Sequence, residues 1–163
     1  MQFRNTVYIL ICLLLGTLRF YAQQPTNLPT YGTGTPVNFI RTFTATAPTT
    51  DAAGLTGKGL NEVKETTQYF DGLGRPLQTV VKKGSLATNG YDIGDTLGAR
   101  DLVTPILYDA FGREQYKFGP YKASTNDGLF KTDPFTAQQA FMAGKYGGQG
   151  ESNYYSQTVF EAR

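Results

Sequence analysis

Tyr69-Phe70-Asp71-Gly72-Leu73-Gly74-Arg75 and Leu107-Tyr108-Asp109-Ala110-Phe111-Gly112-Arg113 are two copies of one string, 38 residues apart. Each runs aromatic, Asp, small, apolar, Gly, Arg, and an internal repeat of this kind is the most specific signal in the chain. Its physics is that of a hairpin. The aromatic residue ends one strand, and the Asp carboxylate accepts N–H bonds from the residues just after it. Gly74 and Gly112 are expected to take the positive φ that closes a type I turn with a bulge, and Arg75 and Arg113 to begin the return strands. Pro76, which lacks an N–H, suits the first residue of a strand or an edge.

Outward from the two turns, the chain keeps strand character. Val37-Asn38-Phe39-Ile40-Arg41-Thr42-Phe43-Thr44 alternates, with Phe39 and Phe43 on one face. Residues 66–70, 77–82, 102–108, 114–118 and 154–160 are rich in Val, Thr, Tyr or Phe and bounded by Gly, Pro, Asp or Asn, which predicts further strands. Residues 45–59 are small and rich in Thr and Gly and read as a long loop. One short helix is predicted over 133–144, with Asp133 as N-cap, Pro134 at its first position, a stop near Gly144 or Gly147, and Phe135, Met142 and Tyr146 as its apolar face. The expected fold is mainly β: antiparallel hairpins forming a sheet or sandwich, with that one helix.

The first 22 residues read as a secretory signal. Arg4 supplies a positive n-region and Val7–Leu15 (VYILICLLL) a continuous apolar run. A spanning helix wants about 20 apolar residues, and Gly16, Arg19 and Gln23 end this run early, so cleavage is expected near Ala22 and the protein is expected to be secreted or cell-surface. Residues 23–36 (QQPTNLPTYGTGTP) have the composition of a flexible linker. That leaves residues 37–163 as the β-rich domain, expected to be incomplete at its C-terminus.

The chain has 163 residues, no His, no Trp and one Cys, Cys12, which lies inside the leader. Without His there is no Ser/His/Asp triad, no Cys/His pair and no imidazole acid or base. Of 15 Lys and Arg, the leader takes Arg4 and Arg19 and none of the 13 acids, leaving 13 against 13. Such a balance lacks the clustered cations that nucleic acid requires.

The two turn strings resemble the YD repeats of RHS-type proteins. With Asn38–Arg41 (NFIR), Gln68–Gln78 (QYFDGLGRPLQ), Asp101–Arg113 (DLVTPILYDAFGR) and Tyr155–Glu161 (YSQTVFE) in order, the chain resembles the N-terminal domain of uncharacterised function that precedes the repeat shell of many secreted bacterial RHS proteins. The resemblance implies a β-rich shell of repeated hairpins that encloses a toxic C-terminal payload or acts at the cell surface. With two YD-like strings where a shell needs dozens, the chain reads as a fragment or truncated product carrying the leader and first domain.

The expected function is therefore a non-catalytic exported domain that starts or caps such a shell, its partner being the remainder of the same chain, with surface glycans or proteins as further partners. No catalytic residue, metal or cofactor is expected. Asp71 and Asp109 are already explained by turns, and Arg75 and Arg113 are expected to pair across strands with carboxylates such as Glu65 or Glu114. Asp92, Asp95 and Asp101 lack the ligand spacing of a calcium loop and read as a solvated loop, and Asn126-Asp127-Gly128 as a turn. The glycines of residues 144–150 do not form a phosphate loop. The alternative function is a glycan-binding β-module using exposed Tyr91, Tyr121, Tyr154 and Tyr155. The last predicted strand leaves an edge that should promote association.

Overall fold

The computed structural model describes residue 25 and residues 28–85 and 98–160. The predicted leader, Tyr91, Asp92 and Asp95 lie outside them. Strand β1 (Asn38–Ala45) pairs antiparallel with β2 (Val63–Phe70) from end to end, Asn38 opposite Phe70 and Ala45 opposite Val63. Through the first turn string β2 returns as β3 (Pro76–Val81), and β3 pairs with β4 (Leu102–Leu107). Through the second string β4 returns as β5 (Tyr116–Phe118), with β6 (Tyr121–Lys122) further along the same edge of β4. The last strand, β7 (Tyr155–Gln157), pairs with β5. All seven lie in one antiparallel sheet in the order β1-β2-β3-β4-β5-β7, with β6 also on β4. The fold is mainly β, as the alternation indicated, and among the described residues it is a sheet rather than a sandwich.

Local chemistry sets the strand ends. β2 starts three residues before the predicted Thr66, because Val63 is itself buried at 4% exposure and continues the alternation. Pro76 is the first residue of β3, where its missing N–H removes no internal ladder bond. Gly119-Pro120 separates β5 from β6 and shifts the pairing by one residue, since Ile106 faces Lys117 whereas Val103 faces Tyr121. β7 is shorter than the predicted 154–160, although Thr158 N still donates to Gln115 O at 2.9 Å. The loop between β1 and β2 carries a 3-10 turn, Ala53–Gly57.

One face of the sheet is covered. Tyr69, Val80, Val103, Tyr121 and Ala123 pack together, with Phe130 and Phe141 against them, and Tyr116, Phe118 and Phe135 form a second cluster. Val80, Val103 and Phe135 are fully buried, each such side chain contributing about 1.5–3 kcal/mol relative to exposure. The cover is helix α1 (Pro134–Tyr146), lying against β4 and β6, together with the loop that leads into it. Pro134 sits in the first turn as predicted, but Asp133 makes no side-chain cap bond.

Two expectations are corrected here. The covered face of α1 carries buried Phe135 and Gln138 with partly buried Phe141 and Met142, whereas Tyr146, the last residue of the helix, is 46% exposed and is not part of it. The stretch read as a flexible linker is anchored from Leu28 onward. Leu28 and Tyr31 pack on the second cluster, Tyr31 N donates to Thr132 O at 2.7 Å, and the Tyr31 ring lies 5.2 Å from that of Phe130. Two apolar side chains amid prolines and threonines are enough to dock an otherwise polar segment.

Candidate functional site

The two turns have the same bonding atom for atom. Asp71 Oδ1 accepts the N–H groups of Leu73 and Arg75, both at 2.9 Å, and Asp109 Oδ1 accepts those of Phe111 and Arg113 at 2.9 Å. Each Oδ2 takes the Nε of its own arginine at 2.8 Å and the Nη2 at 2.8 Å, a two-pronged ion pair. The main chain closes the same ring twice, Asp71 N to Arg75 O and Asp109 N to Arg113 O, both 2.9 Å. Gly74 and Gly112 have φ of 78° and 76°, the left-handed region that a side chain makes costly.

These contacts correct the expected arginine pairing. Arg75 and Arg113 bind the aspartates of their own turns and not Glu65 or Glu114, because four residues of tight turn bring the guanidinium back onto the carboxylate. Glu65 is instead shared by Arg41 and Lys82. The turn N–H groups, first that of the following arginine, hold both carboxyls below the ordinary value of 3.8, with the guanidinium adding to them and burial opposing. A carboxylate so fully engaged has no lone pair available as a general base.

The turns also touch each other. The Arg75 guanidinium lies 4.9 Å over the Tyr108 ring, and its Nη1 is 3.2 Å from where a Cβ on Gly112 would stand. Arg113 lies 5.0 Å over Phe111 and 4.4 Å over Phe160. Leu73 and Phe111, at equivalent positions in the turns, are 79% and 82% exposed.

A second polar assembly went unrecognised in the sequence. Asp101, read as part of a solvated loop, is fully buried. Its Oδ1 accepts Lys83 N at 3.0 Å, and its Oδ2 accepts Gly128 N at 2.9 Å and Lys131 Nζ at 2.8 Å. Lys131 Nζ also donates to Thr125 Oγ1 and Asp127 Oδ1, each at 2.6 Å, so all three ammonium protons have acceptors. Burial alone would raise the Asp127 pKa, but the bonds from Lys131 and Leu129 outweigh it and leave it lowered. Buried Gln78 clamps the main chain of Lys131, its Nε2 on the carbonyl at 2.8 Å and its Oε1 on the N–H at 3.1 Å, and Tyr69 OH donates to Gly128 O at 2.9 Å. The Asn126-Asp127-Gly128 turn is thus the tip of a loop bolted to the sheet. Tyr69 and Gln78 reach this assembly from β2 and β3, whereas Asp101 lies just before β4 and its partners lie 18 to 30 residues away, so no local pattern in the sequence marks it.

Of the tyrosines expected to face glycans, the three among the described residues do not make an exposed set. Tyr121 is a correction: it is 2% exposed in the first cluster, and burial pushes its phenol up to about 12. Tyr155 packs edge-on to Tyr116 at 5.1 Å, and half-buried Tyr154 donates its hydroxyl to Glu151 O at 2.7 Å. Among the described residues no three His, Cys, Asp or Glu side chains are grouped as metal ligands, and no helix is long and apolar enough to cross a membrane.

The model of one protein family, described as a domain of unknown function (DUF6443), matches residues 41–163. The chain belongs to the DUF6443 family. No curated protein and no solved structure matches it significantly. The match to the DUF6443 domain takes in both turns, the Asp101–Lys131 assembly, α1 and six of the described strands in full, with β1 entered at Arg41.

Proposed function

We propose that this DUF6443 domain is a non-catalytic structural module of an exported RHS/YD-type protein, in which it starts or caps a sheet extended by turn-linked hairpins. The observation that carries the reading is the coupling of successive turns. Arg75 of the first stacks on Tyr108, the aromatic residue that opens the second, and Arg113 of the second stacks on Phe160, which Glu161 follows as Asp109 follows Tyr108. Each turn therefore offers an arginine to the next aromatic–acid pair, an arrangement that suits serial addition of hairpins. The aspartates supply the turn's internal bonds and have no spare acceptor for substrate.

Broad hydrolase screening of the full chain tests the non-catalytic part. The expected result is no turnover. Robust turnover abolished by a single carboxylate substitution, Asp71→Asn or Asp109→Asn, would overturn it.

A further inference from the structure

Asp101 and Lys131 are held in contact, with a second carboxyl on the same amine. The Asp101 side chain is fully buried and that of Lys131 is 12% exposed, with Nζ 2.8 Å from Oδ2. Since a carboxyl C–O bond is about 1.2 Å long, Nζ stands within about 4 Å of the carboxyl carbon. Neither group is free to drift. Gln78 holds the main chain of Lys131 at its N–H and its carbonyl, and the N–H groups of Lys83 and Gly128 hold the two Asp101 oxygens at 3.0 and 2.9 Å. Fixing an amine against a carboxyl in this way gives a high effective concentration. The Lys83 N–H also lies where negative charge on Oδ1 develops if the carbon is attacked.

The second carboxyl is Asp127. Its Oδ1 is 2.6 Å from Nζ, its side chain is 43% exposed, and it is within hydrogen-bond reach of the Asp101 side chain. A charged pair as buried as Asp101 and Lys131 forfeits much of its hydration, a cost that a neutral bond between the same groups does not carry. Cys12 is the only Cys of these 163 residues, so no disulfide among them braces the loop between β6 and α1.

We propose that Lys131 Nζ and Asp101 Cγ condense to an isopeptide bond, with Asp127 as the proton carrier. One ammonium proton passes to Asp101 Oδ2, leaving a neutral amine and a carboxylic acid. Nζ then adds to Cγ and gives a second proton to Asp127 Oδ1, while the Lys83 N–H stabilises the charge on Oδ1. Asp127 passes that proton on to Oδ2, the Cγ–Oδ2 bond breaks and one water leaves. The third proton stays on the amide nitrogen, and Oδ1 becomes the amide oxygen. An ammonium and a carboxylate thus become an amide and water, with Asp127 regenerated and no oxidant, reductant or cofactor consumed. Asp101 is the acyl group rather than Asp127 because main-chain N–H groups fix both its oxygens and its burial shields the product from hydrolysis. The bond ties the start of β4 to the loop before α1 across 30 residues, a constraint on the unfolded chain of the kind a disulfide imposes.

Intact mass spectrometry of the folded full chain, followed by tandem spectra of its tryptic peptides, tests this. The mass is expected to fall one water short of that of the sequence from its observed N-terminus. Trypsin should spare Lys131 and release a branched peptide joining residues 101–113 to residues 123–145. Lys131→Arg keeps the charge but supplies a poor nucleophile, so it should show the full sequence mass and a lower Tm. Asp127→Asn should slow condensation on the order of a hundredfold, seen as protein of full mass that converts with time. A folded wild-type chain of full sequence mass, a lost water that maps to a succinimide at Asp127-Gly128 or to an amide on Asp127, a missing water in Lys131→Arg, or an unslowed Asp127→Asn variant would each overturn the proposal.

Discussion

The guanidinium of Arg75 lies 4.9 Å over the ring of Tyr108, so the residue that closes the first turn is stacked on the residue that opens the second. Because Arg75 also grips Asp71 with two nitrogens, one side chain both seals its own turn and sets its distance from the next.

The turn glycines should respond to substitution according to φ and surroundings. Gly74→Val should cost about 1–2 kcal/mol, because φ of 78° is strained for a β-branched residue even with open space around it. Gly112→Val should cost more, since its Cβ also displaces Arg75 Nη1. Gly72→Ala, with neither constraint, should stay within about 0.5 kcal/mol. Urea denaturation of the three variants checks the ranking, and equal losses for Gly72→Ala and Gly74→Val would refute the turn assignment.

The turn carboxyls also set an acid limb. Their folded-state pKa values lie below the ordinary 3.8, so the stabilisation they give is complete above that value and lost as pH falls through the lower folded values. Urea midpoints measured between neutral pH and about pH 3 should therefore drop steeply below about pH 4. An Asp71→Asn/Asp109→Asn double variant should start lower at neutral pH and show a flatter acid limb. An unchanged limb would mean that these groups do not control it.

Asp101 should be the most sensitive polar position. Asp101→Ala strands the Lys83 and Gly128 N–H groups and leaves the Lys131 ammonium without its buried counter-charge. Removing one partner of a buried pair costs about 3–5 kcal/mol. Lys58→Ala, which breaks a half-exposed pair with Glu62 four residues on, should cost within about 0.5 kcal/mol. Thermal melts of the two variants provide the comparison.

Legibility from sequence followed the range of the interactions. The Asp–Gly–Arg turns were readable because every atom they need lies within five residues, and the strands because alternation is local. Pro134 marked the helix start for the same reason. Asp101 was misread because Lys131, 30 residues on, supplies its partner, and a solvated loop and a buried anchor look alike without that contact. Tyr121 was misread because its strand has two residues, too few to show a period. The pairing of Arg75 and Arg113 is hidden for another reason: strand alternation points to a cross-strand carboxylate, whereas the return of a guanidinium onto its own turn depends on backbone angles that the sequence does not display.

The outer edge of β1 has no neighbouring strand among the described residues and carries Phe39 and Ile40, 57% and 61% exposed. Such an edge templates another chain. The protein should therefore associate at concentrations on the order of micromolar, and Ile40→Lys should shift it towards monomer in light scattering. A monodisperse monomer whose state Ile40→Lys leaves unaltered would contradict this.

That the turns act as coupled structural units is tested most directly by a double-mutant cycle on Arg75→Ala and Tyr108→Ala, read by urea denaturation. A cation over an aromatic ring at a partly exposed site contributes about 0.5–1 kcal/mol. The account predicts a coupling free energy in that range, beyond the loss of the Asp71 bond that both Arg75→Ala arms of the cycle share. Losses that add to within about 0.3 kcal/mol would show the two turns to be independent and would contradict it.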